Sequence, residues 1–182
     1  MSDKNNTTKV VTGIVRLSYA NIWEPASVNC WTPKYSVSLI IPKSDTKTIA
    51  AIDAAGDAAI KQGAAKFGGK IPNKAALKLP LRDGDTERED EAYKDSYFVN
   101  ANSTTAPQIV DRAVQPILDR SEVYSGCYAR VSVNFYAFNS NGNRGIACGL
   151  GNIQKIRDGE PLGGRTSAAD DFATDLDDDF LS

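Results

Sequence analysis

The sequence predicts a mainly β fold: a small barrel of about five to seven strands with one amphipathic helix, followed by an acidic C-terminal tail with no structure of its own. Three observations carry this. Strand-like runs recur from Val10 to Arg157 without the regular strand–helix alternation of a parallel sheet. One alanine-rich stretch, Thr46–Phe67, repeats apolar residues at helical spacing. Beyond Gly163–Gly164 the chain turns to small polar residues and six Asp, with no Lys or Arg from Thr166 to Ser182. The expected division is a domain over residues 1–165 and a tail over 166–182.

Taken in order, Val10–Tyr19 is rich in β-branched residues and reads as a strand. Asn21–Pro33, with Trp23, Pro25, Trp31 and Pro33, reads as an irregular loop. Tyr35–Ile41 alternates apolar residues with Ser36 and Ser38 and is closed by Pro42. Ser44 or Asp45 is placed to cap the helix, which Gly68–Gly69 should end. Leu77–Arg82 is a short strand candidate, Asp83–Asp95 a charged loop, Tyr97–Asn102 a strand, and Ala106–Asp119 a loop with a short strand. Cys127–Phe138 is the clearest strand. Asn139–Gly142 is a turn cluster. Gly145–Leu150 and Asn152–Arg157 read as strands separated by Gly149 and Gly151, which suit turn or bulge positions.

The long strand carries the sharpest functional signal. Ala129, Val131, Val133, Phe135 and Ala137 make a core face. The opposite face holds Tyr128, Arg130, Ser132, Asn134, Tyr136 and Phe138. A solvated face normally shows Lys, Glu, Thr and Ser. Three aromatics, one arginine and hydrogen-bonding groups suit a single strand of nucleic acid instead: rings stack on any base, and a guanidinium meets phosphate. The alternative is that both faces are buried and these aromatics are core. Further candidate contacts are Arg16 and Tyr19 on the first strand, Trp31 and Lys34 after the loop, Lys78 and Arg82, and Tyr97. Trp31 would equally serve as a plug for the barrel end.

Charge agrees once it is divided. The net charge is −2, but residues 1–165 hold 21 basic and 17 acidic residues, a net of +4. The tail ends in Asp175, Asp177, Asp178, Asp179 and Phe180, a block of acids finished by an aromatic. Such a tail can steer to a basic groove and insert Phe180 there, so partner binding is expected of it. It can also imitate a phosphate chain and compete with nucleic acid for the body's own groove. The plainer alternative is a solubilising tail.

Enzyme chemistry is disfavoured. There is no histidine, which removes Ser–His and Cys–His systems. Asp83–Glu91 is rich in carboxylates but lacks calcium-loop spacing, and the glycine-rich segments lack phosphate-loop spacing. No cofactor and no metal are expected. Cys30, Cys127 and Cys148 form no CxxC pair and suit buried thiols in a reducing compartment. No run is long enough to span a membrane, and residues 1–8 are polar; a cytoplasmic protein is expected.

Several segments together resemble a known family. Leu81-Arg-Asp-Gly-Asp85, Tyr97-Phe-Val-Asn-Ala101, Tyr124-Ser-Gly-Cys-Tyr128, Val133-Asn-Phe-Tyr136, Gly149-Leu-Gly-Asn-Ile153, Arg157-Asp-Gly-Glu160 and Leu162-Gly-Gly164 are similar, in order and spacing, to bacteriophage single-stranded DNA-binding proteins, a family once of unknown function. The resemblance spans roughly Val10 to Arg165. It implies an OB-fold and sequence-tolerant binding of single-stranded DNA in phage replication, recombination or repair. It also implies a tail that recruits replication or recombination proteins, with homo-oligomers or cooperative arrays on DNA as an open possibility. One feature sits apart from a standard OB barrel: the helix follows the second clear strand. A protein-interaction or virion-associated module is the rival reading.

Overall fold

The computed structural model describes residues 8–26, 33–69, 77–89, 91–140 and 143–162. The period-2 pattern of the longest strand segment becomes β7 (Tyr128–Ser140). Its odd positions from Ala129 to Ala137 are all at most 3% exposed. β7 forms a hairpin with β8 (Asn143–Arg157), paired from Ser140↔Asn143 back to Tyr128↔Arg157 with two register shifts. The two strands expected after the turn are thus one. The register slips between Val131↔Ile153 and Val133↔Leu150, so a bulge near Gly151 replaces the break.

Three more strands close a ring. β2 (Val15–Ala26) pairs with β7 at Val15↔Ala129 and with β3 (Lys34–Pro42). β3 pairs antiparallel with β5 (Ser96–Ser103), and β5 meets β8 in parallel at Asn102↔Gly149. The order β2–β3–β5–β8–β7 is that of an OB-type ring. The single β5–β8 pair makes it a partly open ring rather than a regular barrel. On its margins, β1 (Lys9–Val11) joins β7, β4 (Arg82–Asp83) joins β5, and β6 (Ile109–Val110) joins β8.

The first expected strand is in fact two, β1 and β2, interrupted at Thr12–Ile14. The interruption has a local cause. Thr12 donates its N–H to Val131 O (3.0 Å) and accepts from Val131 N on its hydroxyl (3.1 Å), while Gly13 N donates to Thr48 Oγ1 (3.0 Å). The chain is pinned between β7 and the start of the helix. The loop expected from Asn21 is strand as far as Ala26. Ile22 is buried, and the Trp23 indole donates to Val123 O (3.0 Å).

The helix α1 (Thr46–Gln62) begins as expected at Asp45, whose carboxylate accepts from Thr48 N (3.2 Å). Thr48, Ile52, Ala55, Gly56, Ala59 and Ile60 are its buried stripe. It ends one turn early, at Gly63, and Ala64–Phe67 continue as a 3-10 turn. A Cβ at Gly63 would collide with that of Ala137 on β7, so helix and strand meet there at a contact only glycine allows. Gly68 and Gly69, both at positive φ, then end the segment. α1 therefore lies between the second and third ring strands, the placement that set the sequence apart from a standard OB barrel.

The strand expected over Leu77–Arg82 reduces to a bridge at Lys78 and to β4. The charged loop Asp83–Asp95 contains a one-turn helix α2 (Gly84–Glu87) and a 3-10 turn Glu91–Tyr93. It also adds a second small core outside the ring, in which Tyr93, Phe98 and Ile40 are fully buried. Cys127 and Cys148 are free and buried, and burial raises both thiols above their ordinary pKa. Among the described residues no helix is long and apolar enough to cross a membrane. Cys30, Trp31 and the tail lie outside the described residues.

Candidate nucleic-acid interface

The even positions of β7 face outward, as their period requires. Arg130 and Asn134 are exposed, Tyr136 is 42% exposed, and Tyr128, Ser132 and Phe138 are half-buried. Opposite them β8 presents little bulk: Gly149 pairs with Asn134, Ala147 with Tyr136, and Gly145 with Phe138. Arg130 uses its Nε on Thr12 O (3.2 Å). Around Arg130 lie Lys9, Val11, Ser132, Asn152 and Gln154 in a shallow groove. The Asn134 amide oxygen accepts from Thr8 Oγ1 (2.9 Å). Lys78 bridges to Gly145 by backbone bonds to Arg144 and Ile146 and leaves its side chain exposed.

At the start of β7, two predicted residues come together. Arg16 pairs across the strands with Tyr128, its guanidinium 5.6 Å from the ring centroid, and Arg157 lies at 4.0 Å from the same ring. Arg16 is spent on backbone: Nε donates to Gly126 O (3.1 Å) and Nη2 to Glu160 O (2.7 Å). The Tyr124 hydroxyl donates to Gly159 O (2.9 Å) and accepts from Gly159 N (3.1 Å), and Asp158 pairs with Lys155 (2.6 Å). The Lys155 ammonium holds the Asp158 carboxyl below its ordinary pKa. This cluster locks the turn that follows β8.

Arg82 and Tyr97 lie elsewhere, at the pairing of β4 with β5. There Lys43 bridges Asp83 (3.0 Å) and Asp85 (2.8 Å), with its ammonium 5.2 Å from the Tyr97 ring, and Arg82 pairs with Glu87 (3.7 Å). The two carboxylates hold Lys43 protonated well above the usual lysine range, and Lys43 in turn depresses Asp85. The carboxylate-rich segment is thus an ion-paired surface. Lys34 stands exposed opposite Ala26, where β2 and β3 last pair.

Tyr19 is placed by a feature the strand pattern does not announce. The β2–β3 register shifts between Ser18 and Asn21, and Tyr19 adopts φ +47°. The bulge reverses the alternation: Val15, Leu17 and Ile22 are buried inside, while Tyr19 turns out, 59% exposed. A left-handed conformation costs a tyrosine about 1–2 kcal/mol. Tyr19 forms the rim of a groove of about 330 Å³ with Asn21, Ser36, Ser38, Asn100, Asn102 and Arg88. None of these is acidic. The Arg88 guanidinium stands 5.1, 5.5 and 5.7 Å from the rings of Phe98, Tyr93 and Tyr19. Its Nε is buried and has no hydrogen-bond partner, a cost of about 1–3 kcal/mol set against cation–π attraction.

The groove and the β7 face are joined by register. Asn21 pairs with Ser36, Ser36 with Asn102, Asn102 with Gly149, and Gly149 with Asn134. At Gly149 the Tyr136 ring comes within 3.6 Å of the position a Cβ would take. A row of amides and hydroxyls therefore runs around the ring between Tyr19 and Tyr136. Sequence reasoning found its two tyrosines and Asn134. It missed Asn21, Ser36, Ser38, Asn100, Asn102 and Arg88. Their signal was the run of uncharged hydrogen-bonding residues on the outward positions of β3 and β5 beyond Lys34.

The chain is 30% identical over 174 residues to protein p50 of Acyrthosiphon pisum secondary endosymbiont phage 1, covering 90% of this chain and 92% of p50. Its fold is shared with the single-stranded DNA-binding protein from bacteriophage Enc34 in complex with ssDNA (TM-score 0.76, 20% identity, 86% and 90% of the two chains). It is shared also with gp2.5, a single-stranded DNA-binding protein encoded by bacteriophage T7 (TM-score 0.62, 14% identity, 94% and 96%). The model of the Enterobacter phage Enc34 ssDNA-binding protein family matches residues 8–181, and the chain belongs to that family of non-enzymatic binders.

Proposed function

We propose that this chain coats single-stranded DNA, without reading sequence, during phage DNA replication, recombination or repair in the host cytoplasm. One observation carries the reading: the carboxylate-free row of amides, hydroxyls and exposed tyrosines from Tyr19 to Tyr136. It lies largely on the second and third ring strands, the face with which OB-folds bind oligonucleotides. Bases stack on the rings, and Arg130, Lys9, Lys34 and Lys78 stand at the margins for phosphate. Phe138 and Asn134 extend the surface along β7, and Trp31, outside the described residues, is a further contact expected from the sequence. Tyr128, Tyr97 and Arg82 would contact DNA only at the periphery.

In this reading residues 1–165 are the binding domain and 166–182 a separate acidic tail. The tail recruits replication or recombination proteins through Asp175–Phe180 and competes with DNA. The last described residue before it supports the competition: Leu162 packs against the small core of Ile40, Tyr93 and Phe98, whose two rings lie near Arg88. Titration of a labelled oligonucleotide over a salt series tests both parts. Affinity should fall with a log–log slope of about −0.7 per phosphate neutralised. A chain ending at Arg165 should bind tighter at low salt. Absence of binding by both forms at low salt would defeat the main reading; equal affinity of the two forms would defeat the competition alone.

A further inference from the structure

We propose that Arg88 is the positioning residue that holds the Tyr19 ring ready to stack on a base in its groove. This rests on the single-stranded DNA reading and adds which residue prepares the stacking ring. The walls decide the class of ligand. A phosphate-tracking groove is lined by several cations, whereas this one holds a single arginine among three asparagines and two serines. Among the described residues the Asn100 and Asn102 side chains make no hydrogen bond, so their amides are free for the edges of a base. An amide both donates and accepts, which fits any base.

Arg88 is held from below. Its backbone N donates to Gly84 O (3.1 Å) at the end of α2. Its guanidinium rests near Tyr93 and Phe98, which are themselves packed edge to face at 5.2 Å, with Tyr93 Oη hydrogen-bonded to Ser38 Oγ (3.3 Å). On this rigid floor the cation reaches the Tyr19 ring, which the bulge holds in a backbone conformation that tyrosine otherwise avoids. A cation with a buried, unpartnered Nε, set under an exposed ring, pre-organises that ring for a ligand. Lysine has no planar cation to do the same.

The test compares two labelled oligomers of equal length on the full chain: oligo-dT, and the same sugar–phosphate backbone made abasic throughout. Oligo-dT should bind about tenfold or more tighter, the range expected for lost stacking. Arg88→Ala and Tyr19→Ala should each reduce that ratio several-fold while leaving abasic affinity unchanged, and Arg88→Lys should behave as Arg88→Ala. Asn100→Ala leaves the aromatic floor intact and should also lower the ratio, which keeps the test decisive if Arg88→Ala fails to fold. Equal binding of the two oligomers by the native chain would overturn the proposal while leaving single-strand binding in place. So would an equal loss on both oligomers in Arg88→Ala, the mark of a phosphate contact. If neither oligomer binds, the single-strand reading falls first.

Discussion

Two regions of this molecule use the same pair of residue types to opposite ends. At the start of β7, Arg16 and Tyr128 meet, and Arg16 gives its donors to Gly126 O and Glu160 O while the ring is half-buried between Arg16 and Arg157. In the groove, Arg88 and Tyr19 meet, Arg88 Nε has no partner, and the ring is open to solvent. Composition does not separate the two. What separates them is whether the donors are already spent. A guanidinium bonded to two carbonyls holds a turn; one that rests on rings can prepare a surface for a ligand.

The contrast can be broken most forcefully at the β7 end. Tyr128→Ala removes a ring that two guanidiniums and the Gly159 turn pack against. It should cost about 2–3 kcal/mol of stability by chemical denaturation, with DNA affinity of the folded protein changed little. A large loss of affinity at unchanged stability would place Tyr128 with Tyr19 instead. A smaller effect is expected from Arg130→Ala, because Arg130 is exposed and held through its Nε by Thr12 O. Affinity for an oligonucleotide should drop a few-fold and the salt slope should lose about 0.7; an unchanged slope would remove Arg130 from the phosphate contacts.

The smallest effect expected is that of pH. With no histidine, the clamps titrate far from neutrality. Asp85 and Asp158 are held below the ordinary carboxyl pKa by Lys43 and Lys155, so their contribution is complete above about pH 4 and is lost only as pH falls through their lowered values. Lys43 is raised, so its share is complete below the ordinary lysine pKa of about 10.4 and is lost only as pH rises through the raised value. Oligonucleotide affinity should therefore be level from about pH 6 to 9. A step in that window, followed by anisotropy, would mean that a titrating group outside these clamps governs binding.

Legibility in the sequence followed the range of the physics involved. The two faces of β7 could be read because side chains on a strand alternate regardless of what lies nearby. The Asp45 cap and the glycine stop were legible for the same local reason. The early end of α1 was not, because it depends on how closely Ala137 approaches Gly63. Arg88 was hidden in the acidic run Asp83–Asp95, where a solvated loop is the natural reading. Asn100 and Asn102 looked like any polar face until β3 and β8 were set beside them.

By itself, the sequence determined the β character, the core face of the long strand, the one main helix, and the charge contrast between residues 1–165, at +4, and the acidic residues after them. These follow from period, propensity and charge, which are properties of neighbours along the chain. Only the tertiary structure decided which tyrosine is presented and which is buried, and that amides from β2, β3 and β5 line up with Tyr136 across Gly149. Those outcomes depend on one bulge at Tyr19 and on ring closure through Asn102↔Gly149. Both are set by packing between segments distant in sequence, where no local rule reaches.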